Sequence, residues 1–375
     1  MADGITKTFL EKYKMISWQA SDSSGKSTSW FEFWPTWVMY SPVAVQWLLL
    51  ALCYRSLTLP LLANPRLPLA GMVGGSKHEL MEQAQGQCRD AILPWVCFTV
   101  NSESVETQAA RCLLQVVAEK ITLPFVCKPD VGCRGAGVKL IETQQQLHHV
   151  IASYPVGSAF LCQTLSTWEP EAGIFYVRNP ETDENEIVSM TFKYSPHVVG
   201  DGSSTVQQLV AQNERAGQLQ HLYQSRHHQR WQQVLKQGEK LRLVFSASHC
   251  RGAVFRDARS LITPTLTQTI HRMMSDLPEF YYGRLDVKFS DIDALKNGRN
   301  IEIVEINGAS SESIHIWDKD ARFSEAISTL LWQYRTLFKM GAYHRRQGMK
   351  PPGLRKLITH WLHERRLTRS YPETD

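Results

Sequence analysis

No Cys-x-x-Cys pair occurs among the eight cysteines of this 375-residue sequence, which excludes zinc-ribbon and thioredoxin-like sites. The apolar core of a signal peptide is also missing: residues 1–15 carry Asp3, Lys7, Glu11, Lys12 and Lys14. Reduced, mostly buried thiols in a cytoplasmic protein are therefore expected. Nor is there a strong charge of one sign. Lys+Arg 41 against Asp+Glu 36 leaves +5, too little for a nucleic-acid coat, and no nucleic acid is expected as a partner. A mean hydropathy of −0.27 argues against a multi-span membrane protein. No internal repeat is visible.

What is present is the material of a core, with 43% hydrophobic and 10% aromatic residues, so wholesale disorder is excluded. The length suits two or three domains or one composite domain. A Ser-rich segment and a Trp-rich stretch, Trp30 to Trp37, precede the apolar run Val43–Tyr54. That run is 12 residues long, contains Gln46 and is bounded by Pro42 and Arg55, so a buried helix is expected, with an interfacial membrane segment as the alternative. Strands are expected at Ile92–Val100, across Ser158–Tyr194, and at Leu241–Ser246, Gly283–Phe289 and Ile301–Ile306. Helices are expected at Glu103–Lys120 and, as a long surface pair, within Gln207–Gly238. A basic tail from Arg345 to Arg369 spaces its apolar residues helically. It is expected to dock on the protein's own body or on a second subunit, as in a homodimer, with an acidic membrane surface or RNA as the lesser reading, although no RNA-binding module motif accompanies it.

One motif is a false lead. Ala20-x-x-x-x-Gly25-Lys26-Ser27 fits the loosest P-loop pattern. A phosphate-cradling loop needs a buried strand before it and a helix directly after it, and Pro35 closes the downstream stretch to a helix.

Two other segments carry chemistry. Phe125-Val126-Cys127-Lys128-Pro129-Asp130-Val131-Gly132-Cys133-Arg134-Gly135-Ala136-Gly137-Val138 puts a lysine at the end of an apolar strand, then a loop with three glycines. Glycines let backbone N–H groups approach a polyphosphate, and Lys128 neutralises charge. In Gly283-Arg284-Leu285-Asp286-Val287-Lys288-Phe289 the alternation puts Arg284 and Asp286 on one face and Leu285, Val287 and Phe289 on the other. Ile301–Asn307 follows as a second strand with Glu305 and Asn307 on one face. Paired as a hairpin, the two strands bring Asp286, Glu305 and Asn307 together beside Arg284, an all-oxygen set suited to Mg²⁺ held with substrate phosphates.

With these residues the sequence resembles the ATP-grasp superfamily, most closely its D-alanine–D-alanine ligase-like and carboxylate–amine ligase branches, over roughly residues 75–320. The resemblance implies an α+β fold in which two α/β subdomains hold ATP between them. It is read as a divergent aromatic-rich N-terminal region (1–90), a nucleotide-lid subdomain (91–162), a metal-binding catalytic subdomain (163–344) and the basic tail (345–375). It implies that Lys128 and, in a weaker match, Lys77 contact ATP phosphates under a loop of Gly132, Gly135 and Gly137. By the same resemblance Gln163 and Leu165 lie on the hinge strand that meets the adenine, and Glu171, with Glu169 as competitor, meets the ribose. Lys193 would reach the terminal phosphate and Arg284 would steady the acyl group. Asp286, Glu305 and Asn307 would hold Mg²⁺, or Mn²⁺. The implied reaction is ATP-dependent joining of a carboxylate to an amine through an acyl phosphate, releasing ADP and phosphate, on an amino acid, peptide or related metabolite. A hydroxyl kinase and a non-catalytic binding protein are the alternatives. Cys133 reads as a loop residue rather than a catalyst. Ser310, Ser311, Glu312 and His315 follow the metal strand closely and would face an acceptor, with ordinary helix capping by Ser310 or Ser311 as the equal reading.

Overall fold

The computed structural model describes residues 29–32, 34–132, 135–246 and 251–374. The false P-loop, Cys133 and Arg134 lie outside the described residues. Along the chain come helix α1 (Thr36–Cys53), α2 (Lys77–Glu82), α3 (Gly86–Ala91), strand β1 (Trp95–Thr99) and α4 (Val105–Ala118). They are followed by β2 (Phe125–Pro129), β3 (Lys139–Ile141), α5 (Gln144–Ser153) and β4 (Ala159–Thr164). Next are β5 (Glu171–Arg178), β6 (Asn185–Tyr194), β7 (His197–Val199), α6 (Val206–Gln212), α7 (Gln220–Arg226), β8 (Lys240–Arg242) and β9 (Val254–Asp257). The chain closes with α8 (Pro264–Ser275), β10 (Tyr282–Phe289), α9 (Ile292–Lys296), β11 (Ile301–Asn307), α10 (Phe323–Arg346) and α11 (Leu354–Ser370).

Local chemistry sets the element ends. Ser104 caps α4 by accepting from Thr107 N, and Thr143 with Gln146 forms a reciprocal capping box at α5. Thr263 caps α8, where Pro264 occupies the first turn, a position that needs no N–H donor.

Two antiparallel sheets organise these elements. The first has strand order β1-β4-β2-β3 and the second β11-β10-β5-β6-β9. Over the first sheet, α4 and α5 enclose a core containing Phe98, Phe125, Phe160 and Leu147. Three thiols meet inside it, Cys112 Sγ at 3.7 Å and Cys127 Sγ at 3.6 Å from Cys162 Sγ. Under the second sheet, α3 and α8 bury Ile174, Tyr176, Leu285, Val287, Ile270 and Met274. The expected α+β class, with two sheeted halves facing across a cleft, is the one observed.

Four expectations need correction. Pro42 does not bound α1, which begins at Thr36 and runs through it; the Val38 carbonyl that an N–H at position 42 would have met accepts from Ser41 Oγ at 2.9 Å instead. Nor is that helix buried, since only Met39 and Val43 are enclosed. Within Gln207–Gly238 there is no long helix pair. Short α6 and α7 instead fold around Val206, Val210, Tyr223, Trp231 and Leu235, and Asn213 accepts from the N–H groups of Arg215 and Ala216, turning the chain there. Strand β4 runs from residue 159 to 164, across the boundary expected after residue 162.

Candidate active site: a charged cleft between two sheets

The cleft has a volume of about 2410 Å³ and is lined from both sheets, the glycine loop and the end of the chain. Its charged floor follows from strand register. On β10, Arg284 lies opposite Asn307 and Asp286 opposite Glu305 of β11. On the other side Asp286 lies opposite Gly173 and Lys288 opposite Glu171 of β5. Glu171 in turn lies opposite Lys193 of β6. Directly opposed residues share a face, so four strands bring these groups together.

Asp286 is the hub. Lys193 Nζ stands 2.8 Å from its Oδ1, Arg284 Nε donates to the same oxygen at 2.8 Å and Arg284 Nη2 donates to Oδ2 at 3.2 Å. Asn307 Nδ2 is 3.4 Å from Oδ2. Burial pushes the Asp286 carboxyl upward, but Arg284 and Lys193 outweigh it and hold the group well below the usual carboxylate range. Glu171 is also lowered: burial opposes it, and Lys288 and Lys193, each 3.1 Å away, prevail. Gly173 leaves room for this packing, since a Cβ there would stand 3.2 Å from Arg284 Cδ and 2.9 Å from Ile314 Cδ1.

From the facing sheet, Lys128 Nζ reaches across to donate to Val304 O at 2.8 Å. Desolvation lowers its pKa to about 8, against the partial support of the Glu305 charge. Beside it, Lys77 Nζ donates to Gly132 O at 2.7 Å and lies 3.7 Å from Glu305 Oε1. Lys77 opens α2, whose cap Ser76 is tied to Asp130 at 3.0 Å, while His78 N donates to the same carboxylate. The glycine loop follows. Gly135 and Gly137 take φ of +71° and +73°, conformations that a side chain resists. Gly137 does not line the cleft: a Cβ on it would meet Pro129 Cγ at 2.8 Å, so it turns the chain beneath the loop. The end of the chain lies across this loop. Tyr371 Oη donates to Val131 O at 2.7 Å, Thr374 Oγ1 to Gly135 O at 2.6 Å, and Glu364 accepts from Gly74 N at 2.7 Å.

At the hinge, Gln163 is paired on both sides, opposite Trp95 and Val126, so its backbone is spent on the sheet. Its side chain donates to Leu93 O. The chain leaves β4 at Thr164, and Leu165 is the next cleft-lining residue. Glu169 is exposed beside it, whereas Glu171 is held by two lysines. Ser310, Ser311 and Glu312 line the cleft and His315 does not. Its ring is buried against Ser189 Oγ at 2.8 Å, and desolvation lowers it to about 4. Glu312 accepts from Trp317 Nε1 at 3.2 Å, and burial raises its carboxyl above the ordinary value.

Sequence reasoning missed Lys288, Arg242 and Asp130. Lys288 was within reach, because the same alternation that grouped Arg284 with Asp286 continues to it. Arg242, which lines the cleft and bonds Ser195 Oγ at 2.7 Å, had no motif to mark it.

No protein-family model and no curated protein matches the sequence. Solved structures similar to the chain include the D-alanine–D-alanine ligase from Bacillus anthracis, at 10% identity and TM-score 0.40, covering 75% of this chain and 71% of that one. The VanG D-Ala:D-Ser ligase from Enterococcus faecalis matches at 12% identity and TM-score 0.38, covering 73% and 62%. A bifunctional glutathione synthetase from Pasteurella multocida matches at 13% identity and TM-score 0.33, covering 68% of this chain and 36% of the synthetase. The chain thus spans about a third of the synthetase's length. With identities of 10–13% and TM-scores of 0.33–0.40, these likenesses assign neither family nor activity, and what the chain itself shows is an α+β arrangement of two antiparallel sheets facing across the cleft.

Proposed function

We propose that the protein is an ATP-dependent carboxylate–amine ligase that works through an acyl phosphate. The observation that carries this reading is the division of charge across the cleft. Lys128 and Lys77 come from one side, and the Asp286, Glu305 and Asn307 oxygens with Lys193 and Arg284 come from the other. The buried Lys128 ammonium rests on a main-chain carbonyl, a charge that a phosphate would complement better. Asp286, Glu305 and Asn307 offer the hard oxygen donors that suit Mg²⁺, which when bound would neutralise phosphate charge.

In this reading Lys77, Lys128 and the N–H groups of Gly132 and Gly135 hold the phosphates. Leu165 meets the adenine. Glu169 takes the ribose, because Glu171 is spent on Lys193 and Lys288. Lys193 orients the terminal phosphate. A substrate carboxylate oxygen attacks the terminal phosphorus and ADP departs. The amine nitrogen then attacks the acyl carbon, the C–O bond to phosphate breaks, and the nitrogen loses its proton. Arg284 stabilises the oxyanion of that second step.

The test is a thermal-shift titration with ATP, with and without Mg²⁺, on wild type and Glu305→Gln. Ligand at a hundredfold excess over Kd should stabilise the native state by about 2.7 kcal/mol. The shift should need Mg²⁺ and weaken in the variant, after which ADP release is assayed with carboxylate–amine pairs. Absence of a shift with every adenine nucleotide would refute the reading.

A further inference from the structure

Helix α1 is 18 residues long and has no charged side chain, within a stretch from Phe33 to Tyr54 that holds none. Its inner side belongs to the protein. Met39 and Val43 are buried, and the Trp47 ring packs on Tyr334 and Phe338 of α10 at centroid distances of 5.7 and 5.3 Å. Its outer side is bare among the described residues. Trp37 and Leu52 are each 75% exposed, Leu48 60%, Val45 59% and Leu49 58%. At 1.5 Å per residue this stripe runs about 22 Å along one helix face. A soluble surface rarely carries so continuous an apolar patch unless something covers it.

The surroundings identify the cover. Next to the α10 residues that touch α1 lies an exposed face with Trp332, Arg335 and Lys339, and exposed Arg55 follows the end of α1. The acidic residue on that face, Glu325, is held by Arg259 at 2.6 Å. The surface is therefore an uncharged convex stripe with tryptophan at its start and a basic flank. This is the chemistry of a helix lying in the plane of a lipid–water interface rather than of a groove that grips a peptide. A membrane span does not fit, because the inner side of α1 is held by α10.

We infer that α1 and the adjoining face of α10 seat the protein on an anionic bilayer, with Trp37, Val45, Leu48, Leu49 and Leu52 entering the acyl boundary and Arg55, Arg335 and Lys339 meeting lipid phosphates. This inference is independent of the ligase reading.

The experiment is flotation of the full chain with vesicles of phosphatidylcholine alone and of phosphatidylcholine with one quarter phosphatidylglycerol. The wild type should float with the anionic vesicles and less so at high salt. The double variant Leu48→Glu/Leu52→Glu should lose about tenfold or more in vesicle affinity, which corresponds to at least about 1.4 kcal/mol, while keeping its thermal transition. Arg335→Glu/Lys339→Glu should weaken anionic binding alone. A wild type that stays at the bottom of the gradient would overturn the inference, because the stripe would then be covered by residues 1–28 or by a second copy. Light scattering of wild type and Leu48→Glu/Leu52→Glu separates those two. Undiminished flotation of the double variant would overturn it as well.

Discussion

Lys128 carries a buried positive charge whose hydrogen bond goes to a carbonyl rather than to a carboxylate. Its pKa is lowered to about 8, burial being the main cause, against an unfolded value near 10.4. Below about pH 8 the lysine is charged in both states and the folded state bears the desolvation cost. Between about pH 8 and 10.4 the folded state sheds its proton first, so stability rises with pH. Lys128→Met should therefore stabilise the ligand-free protein by about 1–3 kcal/mol at pH 7 and remove that rise. The same change should abolish the ATP-induced shift. Melting temperatures of both proteins from pH 7 to 10.5 check this, and a variant less stable than wild type at pH 7 would contradict it. Lys128 was legible in the sequence because it ends an apolar strand, and the Arg284–Asp286 and Glu305–Asn307 pairs were legible because strand alternation fixes a face. The pairing of Glu171 with Lys193 and Lys288 was not, since it depends on register across three strands.

At the scale of elements, the strands around the cleft announced themselves by period-two alternation bounded by turns, and Gly283–Phe289 and Ile301–Ile306 pair as expected. Segments whose pattern is polar were harder to read. The Gln-rich stretch from 207 to 238 has helix-forming composition, yet its apolar residues are spaced for a small local core, and tertiary packing breaks it into α6 and α7. That small unit is joined to the aromatic N-terminal segment by a buried ion pair. Arg215 Nη2 meets Glu32, whose side chain is fully enclosed, and also donates to Ala253 O. Glu32→Gln keeps the shape but removes the Glu32 charge from the buried guanidinium. A loss of about 3–5 kcal/mol is expected, measured by urea denaturation. A loss below about 1 kcal/mol would mean that the carbonyls of Gly252 and Ala253 suffice.

Considered as one molecule, the protein has among the described residues two large hydrophobic cores, one against each sheet, on either side of the cleft. The cysteines are distributed between them in a way that makes each core separately addressable. Cys53 is exposed, Cys88 is sealed in the core of the second sheet, and Cys112 and Cys127 both touch Cys162 in the core of the first. A thiol reagent added to the native protein becomes a stopwatch for each half. Cys53 should react at once, and the buried thiols only when their own core opens. If the halves breathe independently, the Cys112–Cys127–Cys162 set should be labelled as one group at its own rate, distinct from Cys88, as read by mass spectrometry of timed samples. Mg²⁺ and ATP should retard that group more than they retard Cys53. One shared rate for all the buried thiols would instead make the molecule a single cooperative unit. The three-sulfur contact in the core of the first sheet is thus a built-in gauge of how often that half of the cleft comes apart.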